Sequence, residues 1–201
     1  MTLTKAEKTR KLIIAEAARI FNQKGYAGTS MNDIMKATGL SKGGLYGNFN
    51  NKEQIAVAAF EHAVSLVTDE VRVRTKELKH PAEKLKAVVH FYRERILNPP
   101  VEGGCPIQNT SIDADDNNPV LRERVIQAVD DWTNRMIYIL EKGKGRGQIR
   151  PDLDSAQFAT QFIGTLEGGI MLAQLYKNVV HFDTMAQLLL KMIAGLTVIK
   201  K

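Results

Sequence analysis

Thr29-Ser30-Met31-Asn32-Asp33-Ile34, continued by Gly39-Leu40-Ser41-Lys42-Gly43-Gly44-Leu45-Tyr46-Gly47-Asn48-Phe49, is the stretch on which the fold turns. Ser30 and Asp33 form a capping box in its Asp form. The hydroxyl accepts an orphan amide of the first turn, while the carboxylate reaches back and meets the positive end of the helix dipole. Met31, Ile34 and Met35 then supply the apolar stripe of a helix of about two turns. Gly39 stands where a helix C-terminus takes a left-handed residue, Leu40 can plug the turn into the core, and Ser41 caps the next helix. Leu45 and Phe49, four apart, face inward. Lys42, Gly43, Gly44, Tyr46 and Asn48 are thereby turned outward or to the flanks. Two short helices joined by a tight turn, the second showing small and polar residues, make a surface suited to the major groove of DNA.

Adjacent glycines inside a short helix cost roughly 1 kcal/mol each against alanine. Close approach of the backbone to DNA is one reason to tolerate them; a loop without that role is the other. Tyr46 reads either as a core aromatic or as a phenol donating to a phosphate. Lys52, at the start of the next helix, is either a solvated lysine or a phosphate contact beside a helix N-terminus.

The spacing of Phe21, Gly25-Tyr26, Thr29-Ser30, Ile34, Gly39, Ser41-Lys42-Gly43, Tyr46, Phe49 and Lys52-Glu53 resembles the DNA-binding domain of the tetracycline-repressor (TetR) family of bacterial regulators. The resemblance implies that Lys42, Gly43, Gly44 and Asn48 lie at or near base edges, and that Thr29, Ser30, Tyr46 and Lys52 hold phosphates. With the cap Ser41, these residues form the expected DNA-binding set. Asn48 departs from the family pattern, where His or Tyr is commoner, and Gly47 replaces a larger residue.

Charge supports a single DNA-facing end. Of the net +6 of the 201 residues, +5 falls within residues 1–60, where Lys5, Lys8, Arg10, Lys11, Arg19, Lys24, Lys36, Lys42 and Lys52 oppose Glu7, Glu16, Asp33 and Glu53. A phosphate-facing surface needs such an excess. Asp113, Asp115, Asp116, Asp130 and Asp131 make the middle of the chain locally acidic. Apolar residues, at 44%, suffice for a real core, and no apolar run approaches the ~18 residues of a membrane span. The basic N-terminus lacks the apolar segment of a secretory signal, because Glu16 and Arg19 interrupt it. The cytoplasm is the expected location, with no membrane partner.

The remainder reads as helix after helix, so the expected fold is all-α. An N-terminal three-helix helix-turn-helix domain, residues 1–51, precedes a larger ligand-binding and dimerisation domain, residues 52–201. A first helix spans about 5–24, with Ile13, Ala17, Ile20 and Phe21 on its buried face. A fourth follows Asn51 through Ile55, Ala59, Phe60, Ala63, Val67 and Val71 and ends near His80-Pro81. A fifth carries Leu85, Val88, Val89, Tyr92 and Ile96 and stops at Asn98-Pro99-Pro100. The stretch 101–119 reads as irregular, and a helix follows over about 120–142. Gly143 to Gly147 reads as a solvated turn, since no strand precedes it to make a phosphate loop. Gly147-Gln148-Ile149-Arg150-Pro151-Asp152 resembles the link before the last two helices of many TetR-like proteins.

Those two helices are expected over about 155–177 and 183–199. The last keeps an apolar stripe through Met185, Leu188, Leu189, Met192, Ile193, Leu196 and Ile199. In the other, Gly164, Gly168 and Gly169 would let a partner backbone come close. Two apolar terminal helices point to a homodimer, and the family resemblance implies a four-helix interface between subunits. A two-fold dimer carries two recognition helices about one DNA turn apart, so the operator on double-stranded DNA should be an inverted repeat.

The family resemblance implies a small-molecule effector in the second domain, whose entry swings the fourth helix and releases DNA. Phe60, Phe91, Tyr92, Cys105, Trp132, Met136, Phe158 and Phe162 are the candidate wall residues, although plain core packing is the commoner role for each, since helix-spaced aromatics are the usual core filling. Cys105 is the sole cysteine, which excludes an intramolecular disulfide. It reads as inert packing or as a sensor thiol. His62, His80, His90 and His181 show no metal-ligand spacing. No catalytic arrangement, metal site or cofactor is expected, and adjacent Asp115 and Asp116 read as solvated. The expectation is thus a ligand-responsive transcriptional regulator, a repressor rather than an enzyme. The alternative is a helical small-molecule-binding or scaffold protein whose helix-turn-helix no longer reads sequence.

Overall fold

The computed structural model describes residues 3–114 and 118–197; Asp115, Asp116 and Ile199, named above, lie outside the described residues. All regular structure among the described residues is helical: α1 (Lys5–Gly28), α2 (Met31–Thr38), α3 (Lys42–Tyr46), α4 (Lys52–Thr75), α5 (Pro81–Arg95), α6 (Pro106–Ala114), α7 (Pro119–Lys144), α8 (Ser155–Tyr176) and α9 (Val180–Ala194). They form two compact units, residues 1–67 with 100–128, and residues 68–99 with 129–201. Compactness and chain order therefore do not coincide. Residues 100–128 return to the first unit, although the expected functional boundary follows residue 51.

In the first unit, α1 opens on a capping box between Thr4 and Glu7 and buries Ile13, Ala17 and Ala18. Gly25, at φ 73°, breaks the helix, so its last residues leave the main axis. Ile13, Ile34, Leu45, Phe49, Ile55 and Ala59 are buried together and tie α1, α2, α3 and the start of α4 into one core. Ser30 caps α2 as expected: its hydroxyl accepts the Asp33 amide while its own amide donates to the Asp33 carboxylate at 2.8 Å. Gly39 ends α2 at φ 68°, the left-handed conformation in which a side chain costs about 1–2 kcal/mol.

The expectation of an irregular stretch over residues 101–119 is corrected by α6. Proline at its first position is well placed for helix entry. Its inner face is largely polar, with Asn109 and Asp113 bonded to α1, so no apolar period announces it. Asn22 is buried in α1 and donates to the carbonyls of Glu102 (2.8 Å) and Gly104 (3.2 Å), while Asn109 donates to Asn22. These bonds strap the α5–α6 loop and α6 onto the first helix.

In the second unit, α4 ends at Thr75, five residues before the expected His80. His80 instead caps α5, with its ring nitrogen accepting the Ala82 amide at 3.2 Å. Arg93 pairs with Asp183 at 3.0 Å, linking α5 to α9, and the Gln174 side chain donates to the Ile96 carbonyl, linking α8 to α5. Helix α9 both starts and stops earlier than expected, and just past its end the Leu196 carbonyl accepts the Arg150 amide at 2.9 Å.

Gly169 corrects one further expectation. A Cβ there would lie 3.0 Å from Met185 Cβ and 3.2 Å from the Phe182 ring, so this glycine admits α9 of the same chain rather than a partner. Gly169→Val should therefore lower stability by about 1–3 kcal/mol through overpacking, visible as a reduced midpoint in urea. An unchanged midpoint would mean that α9 yields at no cost.

Candidate nucleic-acid interface

The exposed side of α2 and α3 is built from caps and small residues. Ser41 caps α3 by accepting the Gly44 amide at 3.2 Å, and Leu45 anchors the helix with no exposed surface. Lys42 and Gly43 are exposed, Gly44 and Asn48 half-buried, and Tyr46 is 44% exposed, with the Lys42 ammonium 5.9 Å from its ring centre. A Cβ on Gly43 would meet nothing nearer than the Ser41 hydroxyl at 4.0 Å, and one on Gly44 would make ordinary contacts from 3.5 Å. Intramolecular packing thus gives no reason for either glycine. Lys5, Lys8, Lys11 and Lys36 are exposed within the same unit.

Several expected DNA-binding residues have internal partners. Thr29 is buried, and its hydroxyl donates to the Gly25 carbonyl at 2.7 Å, so it secures the joint between α1 and α2. Ser30 donates its hydroxyl to Asp33. Hydrogen bonds from Ser30, reinforced by Lys24 at 3.0 Å, hold the Asp33 carboxyl far below the ordinary carboxylate range. The Asn48 amide donates back to the Gly44 carbonyl at 2.9 Å, closing the end of the recognition helix. Lys52 is half-buried, its ammonium 4.1 Å over the Tyr26 ring.

Arg10 was legible only as a basic residue. In the structure its guanidinium donates to the Asn48 carbonyl at 2.7 Å and lies 4.0 Å over the Phe49 ring. It therefore fixes the C-terminal end of the recognition helix against α1. A basic residue near a helix C-terminus also suits the dipole.

The expected effector residues divide between the units. Phe60 and Cys105 belong to the first, the other six to the second. Phe91 meets Tyr92 edge-on at 5.0 Å, Tyr92 stacks with Trp132 at 6.3 Å, and Phe158 lies 6.0 Å from Phe162; Met136 is buried. In the first unit a cleft is lined by Phe21, Tyr26, Phe60, Asn109, Asp113 and Leu121, with room for water rather than an organic effector. Cys105 is buried, and its carbonyl accepts the Asn109 amide at 3.0 Å in the first turn of α6. No cluster of three metal-ligating side chains occurs among the described residues, and no helix among them is long and apolar enough to cross a membrane.

A capped helix-turn-helix on a basic face, followed by a larger helical region, defines the class of helical DNA-binding regulators. The family model described as bacterial regulatory proteins, tetR family, matches residues 13–59, and that described as tetracyclin repressor-like, C-terminal domain, matches 81–189. A TetR transcriptional regulator from Chloroflexus aurantiacus is 39% identical, with 97% of this chain and 98% of that one covered and a TM-score of 0.92. A TetR-family regulator from Cytophaga hutchinsonii is 35% identical over the full length of both chains, with a TM-score of 0.90. The transcriptional repressor DhaR of a Mycobacterium species is 23% identical over 169 residues, 84% of each protein. The chain belongs to the TetR family of helix-turn-helix transcriptional regulators. A scaffold that has lost its regulatory role is not favoured.

Proposed function

We propose that the protein is a homodimeric repressor that binds an inverted-repeat operator and releases it when a small molecule enters its helical core. Residues 1–51 carry DNA recognition, and residues 52–201 carry effector binding and dimerisation. The observation that supports this most directly is the recognition helix itself. Lys42 and Gly43 are exposed, neither Gly43 nor Gly44 is required by internal packing, and both ends of the helix are tied down, by Ser41 and by Arg10. Rigid ends with an open face suit close docking of backbone into a groove.

Lys42 and Tyr46 stay accessible and are assigned to base edge and phosphate respectively. Lys52 is assigned to a phosphate at the start of α4. The effector is read as a small, mostly apolar molecule bound among Tyr92, Trp132, Met136, Phe158 and Phe162. It acts by preferring a conformation in which α4 and the recognition helices no longer fit successive grooves. Repression, rather than activation, follows the sign in the name of DhaR. A regulator of this kind works beside the chromosome, in the cytoplasm, as a binding protein rather than an enzyme.

The test is fluorescence anisotropy on the DNA just upstream of the protein's own gene, against scrambled DNA of equal length, at two salt concentrations. Preferential binding that survives moderate salt is expected. Equal and salt-fragile binding to both sequences would count against a local operator. Lys42→Ala should weaken operator binding by about 1–3 kcal/mol and relax preference at one base position. A uniform loss across operator variants would move Lys42 to the phosphate contacts.

A further inference from the structure

We propose that Asp113 of α6 competes with DNA phosphate for Lys52, so that α6 sets how strongly the start of α4 grips the DNA backbone. Lys52 is a phosphate contact only in the functional reading above, and the inference rests on that assignment.

Three observations on one small region carry it. The Asp113 carboxylate crosses from α6 to accept the backbone amide of Tyr26. It sits in the notch made by Gly25, where an added Cβ would lie 3.1–3.4 Å from its oxygens and carbon; at φ 73° the position disfavours any side chain as well. The ammonium of Lys52 rests 4.1 Å above the ring of that same Tyr26. Tyr26 thus carries a carboxylate on its amide and an ammonium on its ring.

Electrostatics agrees with the geometry. Partial burial pulls the Lys52 ammonium below the usual lysine range, and the charge of Asp113 opposes that fall. Burial first, and then the charges of Glu53 and Asp113, hold the Tyr26 phenol above its ordinary value. Asp113 reaches this neighbourhood from α6, some sixty positions along the chain, through its bond to the Tyr26 amide. Lys42 differs: it is exposed. Asp113 is a positioning residue. It acts through Lys52: a phosphate that takes the ammonium draws it off the Tyr26 ring and out of the field of the Asp113 carboxylate.

The experiment is anisotropy with the upstream duplex, using full-length wild type, Asp113→Asn, Lys52→Ala and the double variant across a salt series. Asparagine fits the same notch and keeps an oxygen for the Tyr26 amide. Asp113→Asn should tighten binding by about two- to fivefold at low salt, with no change in preference among operator variants, and the gain should vanish in the Lys52→Ala background. A gain that persists there would reflect only a lost negative charge near DNA and would overturn the proposal. So would weaker binding by Asp113→Asn, the mark of a purely structural role.

A second readout uses wild-type protein and is immune to a variant that misfolds. The ε-methylene protons of Lys52 should resonate upfield of other lysines because of the Tyr26 ring, and should move toward the free value when duplex is added. A Lys52 signal unmoved at saturating DNA would overturn the competition while leaving DNA binding intact. Wild type that binds no duplex at any salt would instead overturn the functional reading and this inference together.

Discussion

Leu175→Glu is expected to leave a folded monomer whose operator affinity is lower by about a hundredfold or more. Leu175 is 71% exposed near the end of α8, and Met171, one turn earlier, is 48% exposed. Gly168 and Gly164 continue that face at helical spacing, and a Cβ at either meets nothing within 4 Å. On α9, Leu188 is 48% exposed, while Leu189 and Ile193 are fully buried within the subunit. An apolar, small-residue face of this kind gains roughly 1.5–3 kcal/mol for each large side chain it buries.

In the proposed dimer, two-fold symmetry would place the new carboxylate on both sides of an interface through this face, where an unpaired buried charge is costly. Because Leu175 is exposed within one subunit, the fold has no reason to fail. Each half-site would then be bound independently, and the bivalent gain would be lost. Sedimentation equilibrium reads the first consequence and anisotropy the second. A dimer with unaltered affinity would locate the interface away from this face of α8.

Gly43→Leu should abolish detectable operator preference while leaving the melting midpoint equal or higher. The nearest atom to an added Cβ is 4.0 Å away, so the protein has room for the side chain. Replacing glycine within a helix also relieves up to about 1 kcal/mol of unfavourable propensity. The cost falls on docking: a leucine at the second residue of α3 would stand between backbone and base edges and displace the recognition helix. More than a tenfold loss, about 1.4 kcal/mol, is expected for operator DNA, with weak salt-sensitive binding to any duplex retained. Undiminished preference would show that this face of α3 does not meet the bases.

These two expectations draw on different kinds of information. The caps of α2 and α3, Ser30 with Asp33, Gly39 and Ser41, were readable because each acts on partners within four residues. Leu45 and Phe49 were readable as core for the same reason, through helical spacing. The basic excess of residues 1–60 is a matter of composition. The caps and the buried side of the helix-turn-helix were therefore legible in the sequence, and the family pattern added the expected DNA roles.

What escaped sequence reasoning has partners far along the chain. Helix α6 was missed because its inner face bonds through Asn109 and Asp113 to residues 87 positions away. Thr29 was assigned to phosphate, yet its hydroxyl lies buried against Gly25. Gly169 was assigned to a partner subunit, yet it faces Met185 and Phe182 of its own chain. Periodicity states that a helix has an inner face; it does not state which helix covers that face.

Local chemistry thus determined the elements: helical period, caps and charge depend on near neighbours, and they specified an all-α chain with a DNA-reading end. Tertiary structure decided the allegiances. It set α6 on α1, turned Arg10 onto the end of α3, and laid Lys52 over the ring of Tyr26, whose amide a distant carboxylate accepts. A polar side chain finds its partner only when the fold closes the loop between them, and no spacing along the chain encodes that meeting.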